Sequence, residues 1–243
     1  MGRDVISVRN FFFIVMVFAA LALACNKSIN AASNKSYLAA TNLSPDAPPL
    51  DIVFEGNDTL NESGPLHYDS TTGVPGNPYL TAVAGIHSLA IIGNGHTYVN
   101  GNVGLLNKYY YSLFIYDSAS NGELGTLILQ DVLNPIPDTS SSLRFLNFSS
   151  NTPSLYIQMT NAVDTVNFGN IPFPYVGNNH DPSDLSRTTL IRPGTYHILA
   201  AMDTTAVFDL DSLTFYGGKI YTVFTKGLLS ATSINSPGLI QHN

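Results

Sequence analysis

The sequence predicts an all-β chain folded as two tandem immunoglobulin-like antiparallel β-sandwich domains. Three observations carry that expectation. Nineteen Gly and 14 Pro interrupt most apolar stretches before an amphipathic helix can build, leaving short strands between turns. Charged residues make up only 11% of the chain, too few for solvated helices laced with Glu–Lys pairs, so Ser, Thr, Asn and Tyr must keep the surface wet. Three segments of the first half also recur, in order, in the second.

Residues 1–24 read as an address. Arg3 and Arg9 precede an uncharged apolar run of 14 residues at 11–24. That run is shorter than the ~20 residues a membrane-spanning helix needs, and it has the layout of a secretory signal. It ends at Cys25, the only cysteine in the chain. Ala22-Leu23-Ala24-Cys25 resembles a bacterial lipobox, although the usual Leu three before the cysteine is Ala22. A lipidated Cys25 would anchor the protein, because membrane affinity grows with each buried methylene. Position 26 is Asn, and the outer membrane of a two-membrane bacterium is expected. With no other cysteine there is no disulfide, thiolate metal site or cysteine nucleophile. Losing Arg3, Arg9 and Asp4 takes the net charge from −7 to −8. That acidity disfavours nucleic acid, which needs a basic face. Residues 25–36, the cysteine and a small polar stretch, read as a tether reaching roughly 15–20 Å.

The first sandwich is placed at 37–134, a Pro/Ser linker at 135–141 and the second sandwich at 142–243. Alternating strands are expected at 37–41 and 50–54, with counterparts at 143–146 and 155–159. Between each pair lies the first repeated segment: Asn42, Ser44, Pro48, Leu50 and Ile52 recur as Asn147, Ser149, Pro153, Leu155 and Ile157. Asx-type turn chemistry explains it, since Asn and Asp side chains bind local backbone and Pro fixes φ. The second segment sets Val83–Leu89 against Arg192–Ile198, each with Gly in third place, as a turn with positive φ requires. The third sets Tyr111-Ser-Leu-Phe114 against Tyr221-Thr-Val-Phe224, strands dense in aromatic and β-branched residues.

Ser44-Pro45-Asp46-Ala47-Pro48, followed by Asp51 on the next strand, resembles the opening motif of domain-of-unknown-function family 4397. Pro193-Gly194-Thr195-Tyr196 and 218–224 are similar to its later segments. The resemblance covers roughly 37–243, one unit per half. It implies secreted or lipid-anchored immunoglobulin-like sandwiches of bacterial envelopes, and no established activity. The second half departs from the motif, with Asn151 for Asp46 and Tyr156 for Asp51. A site at Asp46 and Asp51 would belong to the first sandwich alone.

No nucleophile elbow, zinc-protease helix, P-loop or dinucleotide fingerprint is present. No two of the six histidines pair at metal-ligand spacing. Ser44, Asp46 and Asp51 are candidates for a turn or ligand motif, with Asp46 suited to accept backbone N–H bonds. Tyr109 and Tyr111, two apart on one strand, are candidates for a stacking surface. Weak Ca²⁺ candidates are Asp58 and Glu62, with Glu55 beside them, and Asp209 and Asp211; Asp181 and Asp184 form a further acidic pair. Solvated turn carboxylates are the plainer explanation, and otherwise no cofactor is expected.

The expectation is a non-enzymatic envelope lipoprotein, a binding or adhesion module for a protein or glycan. The alternatives are a structural subunit of a fimbria-like assembly and a lipid-anchored hydrolase.

Overall fold

The computed structural model describes residues 34–54, 58–174, 185–202, 206–230 and 235–243. Among these, the first half carries β1 (Lys35–Asn42), β2 (Asp51–Phe54), β3 (Asp58–Thr59), β4 (Ser70–Thr71), β5 (Leu80–Val83), β6 (Gly85–Gly93), β7 (His96–Leu105), β8 (Tyr110–Tyr116) and β9 (Gly125–Asp131). A 3-10 turn follows β8 at Ala119–Asn121. The second half carries β10 (Ser141–Asn147), β11 (Ser154–Thr160), β12 (Thr165–Pro172), β13 (Thr189–Ile191), β14 (Gly194–Met202), β15 (Ala206–Phe215), β16 (Ile220–Thr225) and β17 (Gly238–Gln241). No helix among the described residues is long and apolar enough to cross a membrane.

The expected all-β sandwich architecture is the one observed. In the first half, one sheet runs β4-β1-β8-β9, with β5 also on β1, and the other runs β3-β2-β6-β7. In the second half the corresponding sheets are β13-β10-β16-β17 and β12-β11-β14-β15. One detail departs from a purely antiparallel arrangement. β1 pairs parallel with β8 and β10 pairs parallel with β16, so each half contains one parallel pair at the same place.

The repeated segments mark repeated contacts. The Asn42 side chain accepts the N–H of Ser44 at 3.0 Å, and Asn147 accepts that of Ser149 at 3.1 Å. The Tyr111 hydroxyl accepts the Leu106 N–H five residues upstream, and Tyr221 does the same with Tyr216. A tyrosine tied back to the chain just upstream is a recurring brace of immunoglobulin-like sandwiches.

Each half has its own core between its two sheets. Leu38, Ile52, Ile91, Leu113 and Ile115 lie in the first, and Leu143, Ile157, Ile198, Phe208 and Val223 in the second. Between the halves lies a third core. Leu43, Phe114, Tyr116 and Leu129 of the first half meet Leu146, Phe148, Phe173, Phe224 and Ile240 of the second. Phe114 and Phe148 pack with centroids 5.0 Å apart and their rings tilted by 31°. Each buried aromatic there contributes on the order of 2–3 kcal/mol of burial. This explains why β8, β10 and β16 read as unbroken buried runs: odd and even side chains enter different cores. Glycine permits the closest approaches. A Cβ at Gly125 would sit 2.5 Å from the Tyr116 ring, and one at Gly238 would sit 1.9 Å from the Phe224 ring. Residues Lys35–Asn243 therefore form one compact unit with two sandwiches back to back.

Candidate functional site

A cleft opens on the first sandwich where the edge strand β5 parts from the other sheet. It holds about 500 Å³, within the size range of small-ligand sites. Its walls are Phe54, Leu60, Leu80 and Ala82, and its polar groups include Thr59, Glu62, Thr81 and His87. The loop carrying Glu62 is pinned by the buried Asn61. That side chain accepts the Ile52 N–H at 2.9 Å and donates to the carbonyls of Leu50 and Gly64 at 3.0 Å. Glu62 thus stands on an anchored turn, exposed at the cleft. His87, on β6, lies edge-on to Phe54 with ring centroids 6.0 Å apart. An acceptor carboxylate, an imidazole and an aromatic wall converge on one apolar hollow. Such a surface can hold a ligand carrying hydroxyl or amide donors on an apolar frame.

The sequence-derived candidates fall elsewhere, apart from Glu62. Asp58 opens β3, while Asp209 and Asp211 lie on β15 of the other sandwich, so the acidic pairs do not join. Asp211 sits at a bulge with φ 67°, and its N–H donates to the Asp209 carboxylate at 2.9 Å. The His197 ring lies 3.6 Å from that carboxylate. Among the described residues no group of three or more His, Cys, Asp or Glu is placed to hold a metal ion. Cys25, Glu55, Asp181 and Asp184 lie outside the described residues.

Asp46 is a clasp between segments distant in sequence. Its carboxylate accepts the Ser118 hydroxyl at 2.6 Å and the backbone N–H groups of Ala119 and Ser120 at 2.8 and 3.1 Å, with Ser44 Oγ at 3.2 Å. The Ser118 bond is the largest influence, and with the others it holds the carboxyl at about 2. Asp51 is exposed at the start of β2. The stacking surface needs correction. Tyr109 is 44% exposed, but Tyr111 is 7% exposed and packed in the first core, so the two rings share no accessible face. β8 begins at Tyr110, so Tyr109 falls just outside it.

A second cluster is buried where the halves meet. Asp131 Oδ1 accepts a bond from Arg144 Nη2 at 2.6 Å, and its Oδ2 accepts from Ser112 at 2.7 Å and Tyr79 at 2.9 Å. His242 bridges Tyr79, 2.7 Å from Nδ1, and Thr222, 2.7 Å from Nε2. With the Tyr79 proton given to Asp131, the network assigns the proton of His242 to Nδ1, and Nε2 accepts from Thr222. Burial opposes charge on Asp131, but Arg144, His242 and the two hydroxyl donors outweigh it and hold its carboxyl below the usual range. Burial drives His242 down to about 4 against the pull of Asp131, so the ring is neutral. Burial, then Asp131, push Tyr79 far above its ordinary value. An Asp, a His and a hydroxyl in line suggest acid–base chemistry, yet the adjoining cavity is about 10 Å³, room for about one water. The cluster holds the halves together and is closed to substrate.

The family described as Domain of unknown function (DUF4397) matches residues 36–158, just over half the chain. The chain belongs to the DUF4397 family. The matched span runs from β1 into β11, so it holds the cleft, the Asp46 clasp and both partners of the Asp131–Arg144 pair. A comparison with curated proteins gave no match. Three solved structures are similar. One is a family 26 carbohydrate-binding module of Eubacterium rectale Amy13K in complex with maltoheptaose, at 12% identity and TM-score 0.24, covering 81% of this chain and 97% of that one. A streptococcal virulence factor that binds alpha-glucan has 12% identity and TM-score 0.23, covering 78% and 92%. A candidate cell adhesion protein from Bacteroides uniformis has 10% identity and TM-score 0.26, covering 86% and 100%. Scores this low carry no functional argument.

In this DUF4397 chain, sequence reasoning missed the cleft walls and the buried cluster. Phe54, Leu80 and His87 are ordinary strand residues until the fold brings them together. One signal was visible: Arg144 interrupts an apolar strand, and a lone charge in such a run needs a partner.

Proposed function

We propose that this protein is a non-enzymatic cell-envelope lipoprotein. Lipidated Cys25 anchors it at the outer membrane, and the paired sandwiches present a binding cleft for a protein or glycan ligand. The cleft with Glu62 and His87 lies on the first sandwich. The observation that carries the binding reading is that cleft: a hollow of about 500 Å³ lined by Phe54, Leu60 and Leu80, with the Glu62 carboxylate on a pinned turn and His87 among its lining groups. Among the described residues, the Asp131–His242–Tyr79 cluster, which resembles catalytic machinery, is enclosed at the interface between the halves. A glycan array and a peptide panel, probed with the full mature chain, test the reading. The expected result is a ligand whose binding falls at least tenfold in Glu62→Ala or His87→Ala. Binding untouched by both substitutions, or turnover of a glycosidase or esterase substrate, would overturn it.

A further inference from the structure

One end of the molecule differs in chemistry from the rest. β1, β8, β10 and β16 all start at this end, because Tyr37 pairs with Tyr110, Ser142 with Ile220, and Tyr110 with Asp131, whose carboxylate reaches Arg144 on β10. The chain enters the described unit here, at Lys35. Val83, paired with Lys35, is exposed, as are Leu106 and Tyr109; Ile86, beside the β5–β6 corner, is 81% exposed. Cations ring these apolar groups. The Lys108 N–H donates to the Lys35 carbonyl, which sets the two lysines side by side, and Arg192 and Lys219 occupy the matching corners of the second half. Asp138, beside Gly217 and Gly218, Asp164, bound by Thr165 and Tyr196, and the exposed Glu62, which lines the cleft together with Val83, are carboxylates at this end. Most of the other exposed acids lie at the opposite end: Asp46 and Asp117 beside the Ala119 turn, Asp69 beside Asn42, and Glu123 just before β9. Among the described residues, exposed apolar groups and four of the seven basic side chains, Lys35, Lys108, Arg192 and Lys219, gather around the point where the chain arrives.

We infer that this end docks on the headgroups of an anionic phospholipid bilayer. Two features select that occupant over a protein partner. Lys35 lies ten positions after Cys25, a span of at most ~35 Å fully extended, so an anchored Cys25 keeps this end within reach of the bilayer. Exposed aliphatic and tyrosine side chains ringed by lysine match the layered chemistry of a membrane interface, apolar inside and anionic at its surface. The inference rests on the lipid-anchor reading for that proximity. Docking would set the cleft of the first sandwich, whose wall includes Val83, at the lipid surface.

The chain contains no tryptophan, so one introduced residue reports alone. Ile86→Trp places the probe in the docking end, and Leu228→Trp, at a side chain 71% exposed beyond the end of β16, places it at the opposite end. The full mature chain is mixed with phosphatidylcholine vesicles with and without phosphatidylglycerol, and mass spectrometry records whether Cys25 carries lipid. The expected result is a blue shift and quenching by brominated lipid for the Ile86→Trp probe in anionic vesicles, with the Leu228→Trp probe unchanged. Lys35→Gln and Lys108→Gln should each weaken the docked state about fivefold. A lipidated chain whose Ile86→Trp probe stays in water would overturn docking and leave the anchor standing. A chain without lipid would overturn the anchor, and the same probe with added vesicles would then decide docking alone: a blue shift supports it, and none overturns it.

Discussion

Arg144 Nη2 lies 2.6 Å from Asp131 Oδ1, both side chains are 3% exposed, and the bond crosses from the second sandwich to the first. Each ion would be costly to bury alone, and their mutual attraction offsets part of that cost. Ser112 and Tyr79 occupy the other carboxylate oxygen. The pair therefore acts as a register pin between two faces that apolar packing alone would let slide.

Arg144→Met should destabilise the protein by about 3–5 kcal/mol, because it leaves Asp131 buried without its countercharge. Adding Asp131→Asn should restore a large part of that loss, since the remaining group is neutral. Urea titrations of the two single variants and the double variant close the cycle. A double variant as unstable as the sum of the singles would show that the pair is uncoupled.

Stability should depend on pH through His242. Its value is about 4 in the fold against 6.5 unfolded, so the unfolded chain binds more protons between those values. The contribution is fully present above pH 6.5 and disappears as pH falls to 4, a loss of up to about 3 kcal/mol. Asp131, held below its usual range, adds a further loss below pH 3.8. His242→Gln should flatten the slope between pH 6.5 and 4. Equal slopes for variant and wild type in urea midpoints would contradict this assignment.

How far the sequence reveals these features depends on distance along the chain. The repeated Asn-x-Ser turns and aromatic strands are local, and they appear at the expected places. The Ser44-Pro45-Asp46 motif marks Asp46 as a turn carboxylate, but Ser118, 72 residues away, is among its partners. Tyr79 and His242 are 163 residues apart, and no spacing rule joins them. Leu80, Phe54 and His87 look like core or edge residues, and only the parting of β5 from the facing sheet makes them a cleft. Tyr109 falls just outside β8 and stays exposed, while Tyr111 turns with Leu113 into the first core, a burial that alternation alone does not assign to one face or the other.

Gly238→Ala should cost about 1–3 kcal/mol, because its Cβ would overlap the Phe224 ring in the shared core. Gly101→Ala is the control: a Cβ there meets nothing within 4 Å, and the change should stay within about 0.5 kcal/mol. Thermal midpoints of both variants check the contrast, which fails if the two shifts are alike.

Asp46→Ala should cost about 1 kcal/mol, the usual scale for losing a capping acceptor. Amide exchange at Ala119 and Ser120 should quicken, while β8 keeps its protection. Exchange that is unchanged at both amides would show that the carboxylate does not hold the turn.

The two sandwiches, joined by the shared core and the Asp131–Arg144 pair, are expected to unfold as one cooperative unit. Scanning calorimetry of the wild-type protein tests it most directly. A single transition is expected, with calorimetric and van't Hoff enthalpies that agree. Two resolved transitions, each carrying the enthalpy of one sandwich, would contradict it.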